Sequence, residues 1–306
     1  MKYTFITPIS RAFLFPVNCT LNAAKYFGTS AEFHLIYDDI DEETRNAYSN
    51  SFPFKITWYP LMDLYNQLPI TATKHVPCKF WVTPWFLGSK LLEEYDAICI
   101  LQGDEFLMTN VDSLFKMVAG SDVLVATEYH VGIEAEELPF GTTRSILNRE
   151  RYALYDQLVF CGKANKQILV DTYIQQCVER WDESNRSEAH DPLCAFNQAC
   201  STHLDKSRIY GLDCNTWTWD RGAWSRRKLR YDVGRKAIYD EDVRVHAMHT
   251  KWWLNGIIPA ALERETDPTT KEIIAHNYNI EREIMLDFNS MTPETKSEEY
   301  DHTPFK

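Results

Sequence analysis

The sequence predicts an α/β fold built on a mostly parallel central sheet flanked by helices. Three observations carry that expectation. Short apolar runs of strand length alternate with stretches bearing helix start and stop signals. One run, Ala97-Ile98-Cys99-Ile100-Leu101, is apolar at every position, the pattern of a strand covered on both faces. Strands separated by helices pair in parallel, because the crossover helices must lie on the faces of the sheet.

Taken in order, residues 3–7 read as a first strand ended by Pro8. Residues 18–27 read as a helix with Gly28 at its C-cap. A second strand over 32–37 runs into Asp38-Asp39, and alternation over 55–59 marks a third. A helix over 83–95, started near Pro84, leads into the buried strand 97–101. A short helix (113–118) and another buried strand (122–127) follow. Beyond about residue 165 the texture changes to two amphipathic helices, 167–181 and 192–202, a loop over 211–224 rich in Trp, Asp and Gly, and a final apolar element over 242–258. One domain over 1–291 is expected, softly divided near residue 150, with an acidic, poorly ordered tail over 292–306.

The chain of 306 residues is 44% hydrophobic, enough for a substantial core and too much for a disordered chain. No stretch reaches the roughly 18 to 20 apolar residues of a membrane span, and the N-terminus lacks the basic and apolar regions of a secretory signal. A cytoplasmic protein is expected. The cysteines stand singly, without a Cys-x-x-Cys pair, which disfavours zinc clusters. A net charge of −12 opposes general affinity for nucleic acid. One segment departs from it: Arg221, Arg226, Arg227, Lys228, Arg230, Arg235 and Lys236 face only Asp232, giving that stretch +6 and leaving −18 for the rest.

In an open parallel sheet, ligands bind beyond the carboxyl ends of the strands. The candidates there are Thr7-Pro8, Asp38-Asp39, Gln102-Gly103-Asp104-Glu105 and Glu128. The third group stands out, because a buried strand runs directly into acidic side chains, with Gly103 permitting close approach of backbone or ligand. Carboxylates placed this way suit a hard divalent cation that also binds substrate phosphates. Other candidates are Asp191, followed by Pro192 at a helix start, and a cluster of His246, His249, Lys251, Trp252 and Trp253. Lys79 and Lys90 flank the helix before the buried strand, either in reach of phosphate.

The stretch 90–115, with Leu91-Leu92, Tyr95-Asp96, the apolar strand, Gln102-Gly103-Asp104 and Asp112-Ser113-Leu114-Phe115, resembles the metal-binding segment of GT-A-fold glycosyltransferases, family 8 in particular. Asp191 to Asn197 is similar to that family's Asp-Gln-x-x-x-x-Asn segment, and Val245 to Trp253 to its His-x-x-Gly-x-x-Lys-Pro-Trp. Phe5-Ile6-Thr7-Pro8 occupies the place of the first strand. The sequence departs from the family where Gln102 replaces the first metal Asp, where His249 and Trp252 replace the Gly and Pro, and where the Asn-x-Gly strand opening is reduced to Cys161-Gly162.

The resemblance implies a GT-A fold with a Rossmann-like nucleotide-sugar-binding half over 1–150 and an acceptor half over 151–291. It implies sugar transfer from a nucleotide-sugar donor, a UDP-sugar first, to a glycan, lipid or other hydroxyl acceptor. Asp104, His246 and Gln102 would hold Mn²⁺ or Mg²⁺, weakly because the Gln102 amide is neutral. Asp104 and Asp191 are the catalytic candidates, Asp191 as general base or sugar-positioning group. Thr7, Pro8, Asp38, Lys90, Gln102, Gly103, Asn197, His249 and Lys251 would contact the donor. The alternatives are a transferase acting on hydroxylated bases of DNA through the basic segment, a sugar-nucleotide binder without turnover, and a nucleotidyltransferase.

Overall fold

The computed structural model describes residues 1–68, 78–128, 154–177, 192–217, 227–249 and 262–292. A seven-stranded sheet organises the chain in the order β3-β2-β1-β4-β7-β6-β8. Its strands are β1 (Tyr3–Ile9), β2 (Glu32–Tyr37), β3 (Ile56–Pro60), β4 (Ala97–Leu101), β6 (Leu124–Glu128), β7 (Leu154–Gly162) and β8 (Ile209–Asp213). All run parallel except β7, which is antiparallel to both of its neighbours, β4 and β6. The strands β2 and β4 lie where the apolar runs predict them, and every residue of β4 is buried.

Two helical layers cover the sheet. On one face lie α1 (Leu14–Phe27) and α5 (Asp112–Val118); α1 ends at Gly28, whose φ of 70° needs a residue without Cβ strain. On the other lie α4 (Cys78–Leu91), α6 (Lys166–Cys177) and α7 (Pro192–His203), packed around Ile98, Ile100 and Val159. The short helices α2 (Glu42–Ser51) and α3 (Leu61–Tyr65) flank β3.

Several local expectations need correction. Pro8 does not end β1; it pairs with Ile36, and its missing N–H is tolerated because the β4 pairing stops at Ile6. Pro84 lies inside α4 rather than at its start. Strand β7 was not anticipated, because Asp156 and Gln157 interrupt its apolar run. The apolar element expected over 242–258 is two short strands as far as it is described, β11 (Val243–Val245) and β12 (Ala247–His249).

Beyond them lies a C-terminal layer also missed in the sequence. Strands β9 (Leu229–Asp232), β10 (Ala237–Asp240) and β11 form a small antiparallel sheet. After the short helix α8 (Cys214–Trp217), helix α9 (Pro268–Asn289), capped by the Asp267 carboxylate on the Thr270 N–H, packs with that sheet against α1. Its buried face is partly polar: Asn289 accepts from Asn18 at 2.5 Å, and Asn277 binds the backbone of Leu229. The strand β12 pairs with β5 (Glu105–Leu107), tying this layer to the end of β4.

The carboxyl edge of the sheet as candidate active site

Beyond Leu101 the chain turns sharply, the Glu105 N–H donating to the Gln102 carbonyl at 3.1 Å. Gly103 sits in that turn because a Cβ there would stand 2.6 Å from the Pro8 carbonyl oxygen. The turn carries Gln102 and Asp104 into a cavity of about 230 Å³ at the carboxyl ends of β1 and β4. Pro8, Ser10 and Phe13 line it, together with Phe80, Trp81, Pro84 and Trp85 of α4. Asp156 of β7 joins Asp104 as a second carboxylate lining the cavity, each 7% exposed.

Asp156 owes its position to an irregularity. Ala126 of β6 pairs with Val159 and Glu128 with Leu154, so five steps along β7 oppose two along β6. Such bulges redirect side chains, and they gather near binding sites. The readable signal was a carboxylate inside the apolar run 154–160. The reduced Asn-x-Gly opening expected at Cys161-Gly162 lies at the other end of β7, where Gly162 lets the Val118 carbonyl pack closely.

The pairing expected between Asp104 and His246 does not form. The register of β5 with β12 sets His249 opposite Glu105, and His249 Nε2 lies 3.1 Å from Asp104 Oδ2. A carboxylate can only accept, so the imidazole Nε2–H donates. His246 instead meets Met108, whose N–H binds its carbonyl at 2.7 Å. That places it about 10 Å along the strand from the Asp104 end. Its ring stacks on Trp217 at 4.7 Å, and burial, with Arg244 adding, holds its pKa below the ordinary value.

The remaining candidates divide. Pro8, Gln102 and Gly103 line the cavity with Asp104. Thr7 is buried one layer beneath, facing Thr20, Gln102 and Glu105. Asp38 is exposed at the end of β2, outside the cavity lining. Lys90 is bound to Gln67 at 3.0 Å and covers Phe86, about 13 Å along α4 from Trp81, so it does not serve the cavity. Asn197 spends both ends of its amide on the backbone of Leu154, at 2.9 and 2.8 Å, fastening α7 to β7. Asp191 and Lys251 lie outside the described residues, as do Arg221 and Arg226.

The described cations of the basic segment face acids of their own layer. Arg227 pairs with Asp240, Lys228 with Glu272, Arg235 with Asp232 and Lys236 with Asp287, while Arg230 lies over Tyr239. Among the described residues, these cations are thus engaged within their own layer. Among the described residues, no helix is long and apolar enough to cross a membrane.

A divalent cation is compatible with the turn. His249 Nε2 and Asp104 Oδ2, 3.1 Å apart, are the imidazole and carboxylate that would hold it. Among the described residues no three His, Cys, Asp or Glu side chains converge on a metal-ion position.

The sequence matches no protein-family model and no curated protein. Its fold matches solved glycosyltransferases. The galactosyltransferase LgtC, solved with donor and acceptor sugar analogues, superposes with a TM-score of 0.51 at 14% identity, over 87% of this chain and 97% of that one. Mouse xyloside xylosyltransferase 1 gives 0.51 at 12% identity, over 81% of this chain and 97% of that one. The bifunctional glycosyltransferase WbbM gives 0.50 at 10% identity over 70% of this chain, which spans 39% of WbbM. The chain thus has the GT-A glycosyltransferase fold, in a sequence far removed from these neighbours.

Proposed function

We propose that this chain is a glycosyltransferase that moves a hexosyl group from a UDP-sugar to a hydroxyl acceptor, assisted by a divalent cation. The observation that carries the reading is the convergence of Gln102, Asp104 and Asp156 with an aromatic wall at the carboxyl end of β4, on this fold. Departure of a nucleoside diphosphate from an anomeric carbon builds negative charge on phosphate oxygens, which a cation stabilises when bound. Asp104 and His249 would hold that cation, with Gln102 as the weaker donor. The hydrogen bond that joins them through His249 Nε2–H holds both groups close, and a bound cation would take the place of that proton. Trp81, Trp85 and Phe80 pack the sugar and exclude water that would hydrolyse the donor. Pro8, and Asp38 beyond the cavity lining, are assigned to the nucleotide, Lys251 to the diphosphate, and Asp191 to the acceptor hydroxyl or the sugar. The acceptor is a glycan, lipid or other hydroxyl compound; the internal pairing of the basic segment argues against DNA.

A second reading, a sugar-nucleotide binder without turnover, is favoured by Gln102 alone. A thermal-shift screen of UDP-, GDP-, ADP- and CMP-sugars, with and without Mn²⁺, tests both. Metal-dependent stabilisation by one nucleotide sugar, lost in Asp104→Ala and His249→Ala, is expected, together with release of UDP once an acceptor is supplied. Stabilisation that survives Asp104→Ala refutes the placement of the site.

A further inference from the structure

We infer that Pro84 opens helix α4 at the cavity, so that the Phe80 carbonyl accepts a hydroxyl of the donor sugar. The inference rests on the donor reading above and adds a recognition group which that reading does not contain. Pro84 stands inside α4, beyond its first turn. A regular helix would send the N–H of residue 84 to the carbonyl of residue 80, and proline has no such N–H. The neighbouring hydroxyl does not replace it, because Thr83 Oγ1 donates to the Lys79 carbonyl at 2.8 Å. The Phe80 carbonyl is therefore without the donor that a regular helix supplies.

That break lies on the ligand side of the helix. Phe80 and Pro84 are about one turn apart and share a face of α4, and both line the cavity. Trp81 and Trp85, the residues after each, line it too. The Phe80 carbonyl projects along this face toward Pro84, whose ring tilts it away from the helix axis. Proline is the least favourable residue in a helix interior, and α4 carries it on the face that lines the cavity. A backbone oxygen set among aromatic side chains suits a hydroxylated ring. The C–H face of a pyranose packs on indole, while a hydroxyl at its edge donates to the oxygen. Pro84 is a positioning residue, since it acts through the Phe80 carbonyl, and no bond-breaking step is assigned to either residue.

The test is calorimetric titration of the full chain with UDP, UDP-glucose, UDP-galactose and their singly deoxygenated forms, in the presence of Mn²⁺. It is run on wild type, Pro84→Ala and Pro84→Gly, both of which supply the missing N–H. The wild type is expected to bind at least one parent conjugate more tightly than UDP. One deoxy form of that conjugate should bind about three- to tenfold more weakly than the parent, the worth of one hydrogen bond. In both variants this gap is expected to close to within twofold, with UDP affinity within twofold of wild type, which also reports that they are folded. Pro84→Ala is further expected to melt higher than wild type while binding the parent conjugate more weakly, a combination that a purely structural role does not give. A deoxy gap that survives in both variants overturns the inference and leaves the donor reading standing. So does a wild type that shows no such gap, or a loss of UDP affinity in step with the conjugates, which would mean that Pro84 serves the fold alone. Failure of UDP and all its conjugates to bind the wild type overturns both.

Discussion

Replacing Gly103 by alanine tests the joint between fold and site. The added Cβ would stand 2.6 Å from the Pro8 carbonyl oxygen, against an ordinary contact of about 3.4 Å. Either the turn or the end of β1 must therefore move by about 0.8 Å. The obstacle is backbone rather than the tip of a flexible side chain, and Ile9 and Phe13 stand behind it at 3.6 and 3.7 Å. Overpacking of this kind costs about 1–3 kcal/mol. For a chain of this size that corresponds to a melting temperature lowered by roughly 2–5 °C. The effect on function is expected to be larger, because Asp104 and Gln102 ride on the displaced turn, and a shift near 1 Å costs about a hundredfold in turnover. Gly234→Ala is the control, since a Cβ there would meet Asp232 Oδ1 at an ordinary 3.5 Å. Calorimetry and donor hydrolysis on the two variants check the argument. Gly103→Ala melting and turning over like Gly234→Ala refutes it.

Two further outcomes follow from named contacts. His34 is buried between the hydroxyls of Tyr59 and Tyr95, at 3.0 and 2.9 Å, and burial chiefly lowers its pKa from 6.5 to about 4. The native state therefore prefers the neutral ring. Its contribution is present above pH 6.5 and is lost as pH falls toward 4, where the unfolded chain takes up the proton, for about 3 kcal/mol in total. Urea titrations between pH 4 and 7 should show that slope flattened in His34→Phe; an unchanged slope refutes the assignment. Gln102→Asp supplies a second carboxylate beside Asp104 and should tighten Mn²⁺ binding at least tenfold by titration. Unchanged affinity would mean that Gln102 does not face the ion.

How much was legible depended on how local the determining contacts are. The strand 97–101 announced itself because burial on both faces demands five consecutive apolar residues, and β4 has that bounded run. Helix α9 did not, although its Asp267-Pro268 start was readable, because its packed face contains Asn277, Glu281 and Asn289. Those polar groups meet the partners available there, including Asn18 of α1 and the Leu229 backbone, and such partners cannot be read from the helix itself. Asn197 failed in the opposite way. Its motif pointed to a ligand, while the fold engages its amide with the open backbone of β7.

The same distinction holds at the site. That an acid would stand at the rim of a parallel sheet follows from consecutive residues: an apolar strand, a glycine turn and Asp104. Which histidine meets it does not follow, because His246 and His249 are equivalent candidates until the pairing of β5 with β12 joins segments 145 residues apart. Asp156 reached the cavity through a bulge that depends on where β6 and β7 fall out of step. Local patterning determined the strand and its acidic end. Long-range register decided its partners, because a shift of one residue along a ladder changes which side chain faces the cavity.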